Sequence, residues 1–196
     1  MPFVHSPFCC VCRNLTELDV QECTVDDRGS EWLSAFPETF TSLTSLNLTN
    51  FSSDVNFGDL ERLVAKCERL EKLKLNRGIT LDQLRRLLLL RGPGLKELGI
   101  GSFVQDVDGK GMYQIASLFE SCKSVRALSG LWEVVPHFLP LMFPLCSNLR
   151  NLNLSDSTIA SLDFVQLISQ CHLLECLWVR FALLLSICQN NMVVAL

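Results

Sequence analysis

The sequence has little with which to run a reaction. Histidine occurs only at His5, His137 and His172, and none sits in a motif that couples a nucleophile to a base and an orienting partner. His5 lies in an irregular N-terminal stretch, His137 follows Pro136 in a turn, and His172 falls in the link between a helix and a strand. Phosphate loops, dinucleotide fingerprints and zinc-protease helices are absent. A non-enzyme is therefore expected, with no catalytic and no metal-binding residue.

Other absences narrow the class further. With 17 Lys+Arg against 21 Asp+Glu, the net charge is -4, so no basic field is available to hold a phosphate backbone and a nucleic-acid partner is not expected. No apolar run approaches the roughly 18 residues of a membrane span; the greasiest stretch, Phe181 to Cys188, is short and contains Ser186. Within Met1 to Cys12 no Lys or Arg precedes an apolar stretch, which argues against a secretory leader. The 10 cysteines are then expected as thiols in a soluble, reducing compartment. Cys9-Cys10-x-Cys12 near His5 has metal-like spacing, but a bland terminus is the preferred reading. The sequons at Asn14, Asn47, Asn50 and Asn153 are attributed to chance, because a strand motif that supplies Leu generates Asn-Leu-Ser/Thr easily.

What the chain does have is a repeat. The pattern Leu-x-x-Leu-x-Leu recurs as Leu15-Leu18-Val20, Leu43-Leu46-Leu48, Leu70-Leu73-Leu75, Leu95-Leu98-Ile100, Val125-Leu128-Gly130, Leu149-Leu152-Leu154 and Leu174-Leu177-Val179. First positions differ by 28, 27, 25, 30, 24 and 25 residues, the period of leucine-rich repeats. The second and third apolar positions share one face of a short strand, and the intervening residues face the other way. Parallel strands need crossovers. Apolar positions at helical spacing supply them in Leu60-Leu63-Val64, Leu84-Leu87-Leu88, Ile115-Leu118-Phe119, Leu139-Met142-Phe143 and Phe164-Leu167-Ile168. The predicted fold is an α/β leucine-rich-repeat solenoid of about seven repeats, with a curved parallel sheet inside and helices outside. Residues 1–11 are read as an irregular N-terminal segment, 12–179 as the repeat domain and 180–196 as a divergent tail.

Cys67, Cys122, Cys146 and Cys171 each follow a helical stripe and precede a strand, so they are expected as small apolar fillers at buried helix ends, in a row too widely spaced to cross-link. Arg91 is read as replacing the cysteine before Gly92-Pro93-Gly94, and Pro136, Pro140 and Pro144 as spoiling the helix of the fifth crossover. Gln105 to Gly111 is the longest polar insertion. On the free face of the sheet, the cations Lys72, Lys74, Arg126 and Arg150 are the candidate binding residues, since a polar face on a rigid sheet positions side chains before a protein or peptide arrives.

The strings Cys12-Arg-Asn-Leu-Thr-Glu-Leu-Asp19, Trp32-Leu-Ser-Ala-Phe-Pro37, Leu73-Lys-Leu-Asn-Arg77, Leu128-Ser-Gly-Leu-Trp132 and Leu152-Asn-Leu-Ser155 resemble the middle repeats of the plant auxin-receptor F-box proteins, the transport-inhibitor-response and auxin-signalling F-box family. The resemblance covers Cys12 to Val179. It implies a nuclear substrate-recognition subunit of a Skp1-cullin-F-box ubiquitin ligase, which holds auxin and an Aux/IAA repressor and contains inositol hexakisphosphate. The family's F-box and hormone pocket have no counterpart among these residues, so a truncated product is expected, with no cofactor of its own and no auxin binding. The jasmonate-receptor branch resembles the strings less well. A leucine-rich-repeat interaction protein without a ligase role, binding through open solenoid ends, is the alternative from a different class.

Overall fold

The computed structural model describes residues 14–24, 32–101, 103–104, 117–131, 138–155, 157, 159–179 and 192–195. Seven short parallel strands stack in one sheet: β1 (Glu17–Asp19), β2 (Ser45–Asn47), β3 (Lys72–Lys74), β5 (Glu97–Ile100), β7 (Ala127–Gly130), β8 (Asn151–Leu154) and β9 (Cys176–Val179). A separate two-stranded pair joins β4 (Ile79–Thr80) to β6 (Phe103–Val104). The register is unbroken, with Leu18, Leu46, Leu73, Leu98, Leu128, Leu152 and Leu177 opposite one another from strand to strand. Leu46, Leu73, Leu98 and Leu152 are fully buried, whereas Leu177 retains 8% exposure, so the column is driest in the middle of the stack. Each such burial stabilises the fold by roughly 1.5–3 kcal/mol. The leucine period therefore fixes both the strand positions and their alignment.

The crossovers return outside the sheet as α1 (Phe57–Lys66), α2 (Leu81–Arg91), helical residues 117–121 (α3), α4 (Leu139–Cys146) and α5 (Ser161–Ser169). Local chemistry starts two of them. Asn56 caps α1 by accepting from the Asp59 N–H, and Thr80 with Gln83 closes a reciprocal capping box on α2. Among the described residues, the first crossover contributes a four-residue 3-10 helix, Trp32–Ala35. There bulky rings do the filling: Trp32 lies 5.2 Å from Phe51 and Phe36 lies 4.9 Å from Phe40, centroid to centroid.

Two expectations need revision. The fifth crossover is a short helix in spite of its prolines: α4 forms with Pro140 in its first turn, where an N–H is not needed, and it tolerates Pro144 inside. The cysteine position of the fourth repeat is held by Gly92, not Arg91, since Gly92 stands six residues before Leu98 as Cys67 stands before Leu73. A Cβ at Gly92 would lie 2.8 Å from the Cys122 Sγ, so the glycine makes room for the next thiol in the row. Arg91 instead reaches sideways, donating through Nε to the Val64 carbonyl at 3.0 Å and also to the Ala65 carbonyl. It thereby satisfies the end of the neighbouring α1. Cys146 and Cys171 remain free thiols, as expected, each donating back to a carbonyl of the helix it ends, Met142 and Leu167 respectively.

Cys67, Cys122, Cys146 and Cys171 are buried, as a filler role requires. Burial pushes the Cys67 and Cys122 thiols up. Cys146 is held protonated first by its bond with Cys171 and then by burial. Pro136, His137, His5, the Cys9–Cys12 cluster, Ile115 and the Gln105–Gly111 insertion lie outside the described residues. So does most of the expected tail, of which residues 192–195 form β10 (Met192–Ala195), antiparallel to β9 with Val194 opposite Leu177.

Candidate functional surface

Residues flanking the buried leucines form the free face, and the strand register arranges them in rows. One row runs Asp19, Asn47, Lys74, Gly99, Ser129, Asn153 and Trp178 across the sheet. Three of its members end their strands in the same way: the Gln21, Thr49 and Ser155 amides donate to the side-chain oxygens of Asp19, Asn47 and Asn153 at 2.9, 3.1 and 2.9 Å. These Asx turns let the chain leave the sheet. They also explain two of the sequons, because the small polar residue two positions on belongs to the turn. Asn47 is 7% exposed, and its amide also donates to Asp19 and Gln21 at 3.1 Å each.

The four candidate cations divide into two settings. Lys72 and Lys74 flank Leu73 on the face itself. Lys74 pairs with Glu97 at 2.8 Å and lies across Gly99, where a Cβ would come within 2.8 Å of its side chain. Arg126 and Arg150 stand one residue before β7 and β8, on the rim where strands enter the sheet. The rim row reads Glu71, Lys96, Arg126, Arg150 and Glu175, held in line by the Arg126 N–H to the Lys96 carbonyl and the Arg150 N–H to the Arg126 carbonyl, both 2.8 Å. Lys96 pairs with Glu71 at 2.6 Å, and Arg150 pairs with Glu175. Arg126 donates to the carbonyls of Lys123 and Val125. Among the described residues no carboxylate pairs with Arg126 or Lys72. Lys96 is the rim cation that the sequence reading left off its candidates; its place in the row follows from the same one-residue offset before a strand as Arg126.

At the opposite rim, where strands leave the sheet, a depression of about 300 Å³ is lined by Gln21, Asn50, Lys74, Ser129, Asn153 and Ser155 among others. Its floor is possible because Gly99 and Gly130 lack side chains; Gly130 has φ +93° and would place a Cβ 1.9 Å from the Ile100 carbonyl oxygen. A second hollow of about 540 Å³ opens between the loops that lead into α1 and α2, bordered by Asp54, Asn56, Phe57, Asn76, Arg77 and Gln83. Neither joins a nucleophile to a base. His172 is exposed in the link before β9. Among the described residues no three His, Cys, Asp or Glu side chains converge as metal ligands, and no helix is long and apolar enough to cross a membrane. The arrangement can hold another molecule by polar and ionic contacts on a rigid frame.

No family model matches the chain. Over 168 residues, 86% of its length, it is 45% identical to GRR1-like protein 1 of Arabidopsis thaliana and likewise 45% identical to a transport inhibitor response 1-like protein of Oryza sativa subsp. japonica. Identity falls to 27%, over 171 residues, with coronatine-insensitive protein 1 of Arabidopsis thaliana. In each case the chain spans 28% of the relative's length. At 45% identity across 86% of the chain, its repeats match a segment of the GRR1-like and transport inhibitor response 1-like F-box proteins.

Proposed function

We propose that these repeats belong to the substrate-recognition arm of a Skp1-cullin-F-box ubiquitin ligase in auxin signalling. They act as a non-enzymatic, nuclear protein-binding module whose free sheet face and rims meet the partner. The observation that carries this reading is the 45% identity to transport inhibitor response 1-like proteins across 86% of the chain. The lower identity to coronatine-insensitive protein 1 makes the jasmonate branch the weaker assignment. In the resembled family the partners are Skp1, auxin and Aux/IAA repressors. The F-box and hormone pocket are supplied by other parts of those proteins, so no cofactor is assigned to these residues.

A chimera tests the proposal without asking the segment to act alone. Residues 12–179 replace the matching repeats of a transport inhibitor response 1-like protein, and recovery of an Aux/IAA repressor is measured with and without auxin. Auxin-dependent recovery comparable to the parent supports the reading. A chimera that still binds Skp1 and melts like the parent, yet recovers no repressor, sinks it.

A further inference from the structure

We propose that the strand-entry rim of β5, β7 and β8 binds an acidic segment of a protein partner, with the Arg126 guanidinium as the central contact. The inference deepens the protein-binding role proposed above by assigning the partner's chemistry.

The charge distribution is the first warrant. The chain as a whole carries net charge -4. Yet Lys72, Lys74, Lys96, Arg126 and Arg150 on β3 to β8 and their entry rim face only Glu71, Glu97 and Glu175, five cations against three carboxylates. Acidity is concentrated elsewhere, with Glu17, Asp19 and Glu22 on and after β1. An acidic ligand is thereby repelled from one end of the sheet and drawn to its middle.

The rim row supplies the geometry. Lys96, Arg126 and Arg150 occupy equivalent positions in adjacent strands, and such strands lie about 4.8 Å apart. Like charges directly opposite one another across a sheet destabilise it. Glu71 relieves Lys96 at 2.6 Å and Glu175 relieves Arg150 from the two ends, which leaves the middle cation without a carboxylate among the described residues. A carboxylate brought in trans completes the alternation. Both flanking pairs are exposed, at 61%/44% and 50%/55% for their side chains, so opening either to accommodate the partner costs little. Lys72, one strand before Glu97 and likewise without a carboxylate, extends the site toward β3.

The size of the row selects a peptide over a nucleic acid. Glu71 and Glu175 bound it to three strands, about 10 Å between the outer two at the usual strand spacing. That span takes two or three carboxylates, and it is too short to track the phosphate backbone that gives nucleic-acid affinity.

The test uses the full chain and a short labelled peptide of alternating Asp and Ser, with the Asn-for-Asp peptide and a single-stranded oligonucleotide as controls, read by fluorescence anisotropy. The Asp peptide is expected to bind, to weaken as salt is raised, and to lose about tenfold or more in affinity with Arg126→Glu, which corresponds to one decade in Kd. Arg85→Glu changes net charge equally but lies on α2, beside Asp82; it is expected to leave the affinity unchanged. Thermal melts of both variants exclude misfolding, and Arg126→Gln, which removes the charge and reverses nothing, is expected to fall between. Three results overturn the assignment: equal binding of the Asn peptide, equal or tighter binding of the oligonucleotide, or equal losses with the Arg85 and Arg126 variants. Any of these, beside a working chimera, defeats the rim assignment and leaves the ligase reading standing.

Discussion

At the scale of single residues, the row of helix-end positions Phe40, Cys67, Gly92, Cys122, Cys146 and Cys171 shows how one column absorbs different volumes. Gly92 is buried, and the space its missing side chain leaves is taken by the Cys122 Sγ. Gly92→Ala therefore sets two effects against each other: a gain of about 0.4–1 kcal/mol from a stiffer unfolded chain and an overpacking cost of about 1–3 kcal/mol. The expected net result in a urea titration is destabilisation by roughly 1 kcal/mol. In a Cys122→Ala background the same change is expected to turn neutral or stabilising, and persistence of the loss there would refute the contact. The sequence pattern located this column but misplaced one of its members. Arg91 ends a helical stripe at the spacing that cysteine has elsewhere, whereas counting back from Leu98, which pairs in register with Leu73 and Leu128, moves the position to Gly92.

At the scale of elements, neighbouring helices complete one another. The last carbonyls of α1 have no helical partner, and Arg91, arriving from the end of α2, binds two of them. Arg91→Ala is expected to cost about 1–2 kcal/mol and to speed amide hydrogen exchange in the last turn of α1. Lysine at this position restores only part, because a single ammonium lacks the planar fork that bridges two acceptors. Unchanged exchange in the Ala variant would remove the cap from the account. Glu38 works similarly, tying the stretch after the first 3-10 helix to α1 through Lys66 and Arg62. Its hydrogen bond with Lys66 lowers its pKa, so whatever stability it adds is present above the ordinary carboxylate range and fades as pH falls through the lowered value. Helix positions were legible from apolar spacing. These sideways bonds were not, because they join residues some 25 apart whose reach depends on where two helices pack. The rim ion pairs share that origin: the sequence identifies Arg150 as a cation, but only the register sets Glu175 beside it.

At the scale of the whole molecule, the sheet is a stack in which each repeat is stabilised chiefly by its neighbours. Leu98 sits fully buried near the middle, so Leu98→Ala is expected to cost about 2–5 kcal/mol. Leu18, half-buried on the first strand, is expected to cost distinctly less on the same substitution. Equal losses, measured by thermal denaturation, would contradict the graded core. The repeat period made this architecture readable from the sequence alone, since a leucine column serves every strand in the same way; the Asx turns at Asn47 and Asn153 escaped it because Asn-x-Ser/Thr looks the same whether it closes a turn or accepts a sugar. The fold resolves that double meaning. Glycan transfer needs a free, extended asparagine amide, and Asn47 spends its amide on Asp19 and Gln21 once the sheet has formed. Were the chain routed through a glycosylating compartment, a sugar on Asn47 would mark a copy whose second strand never docked.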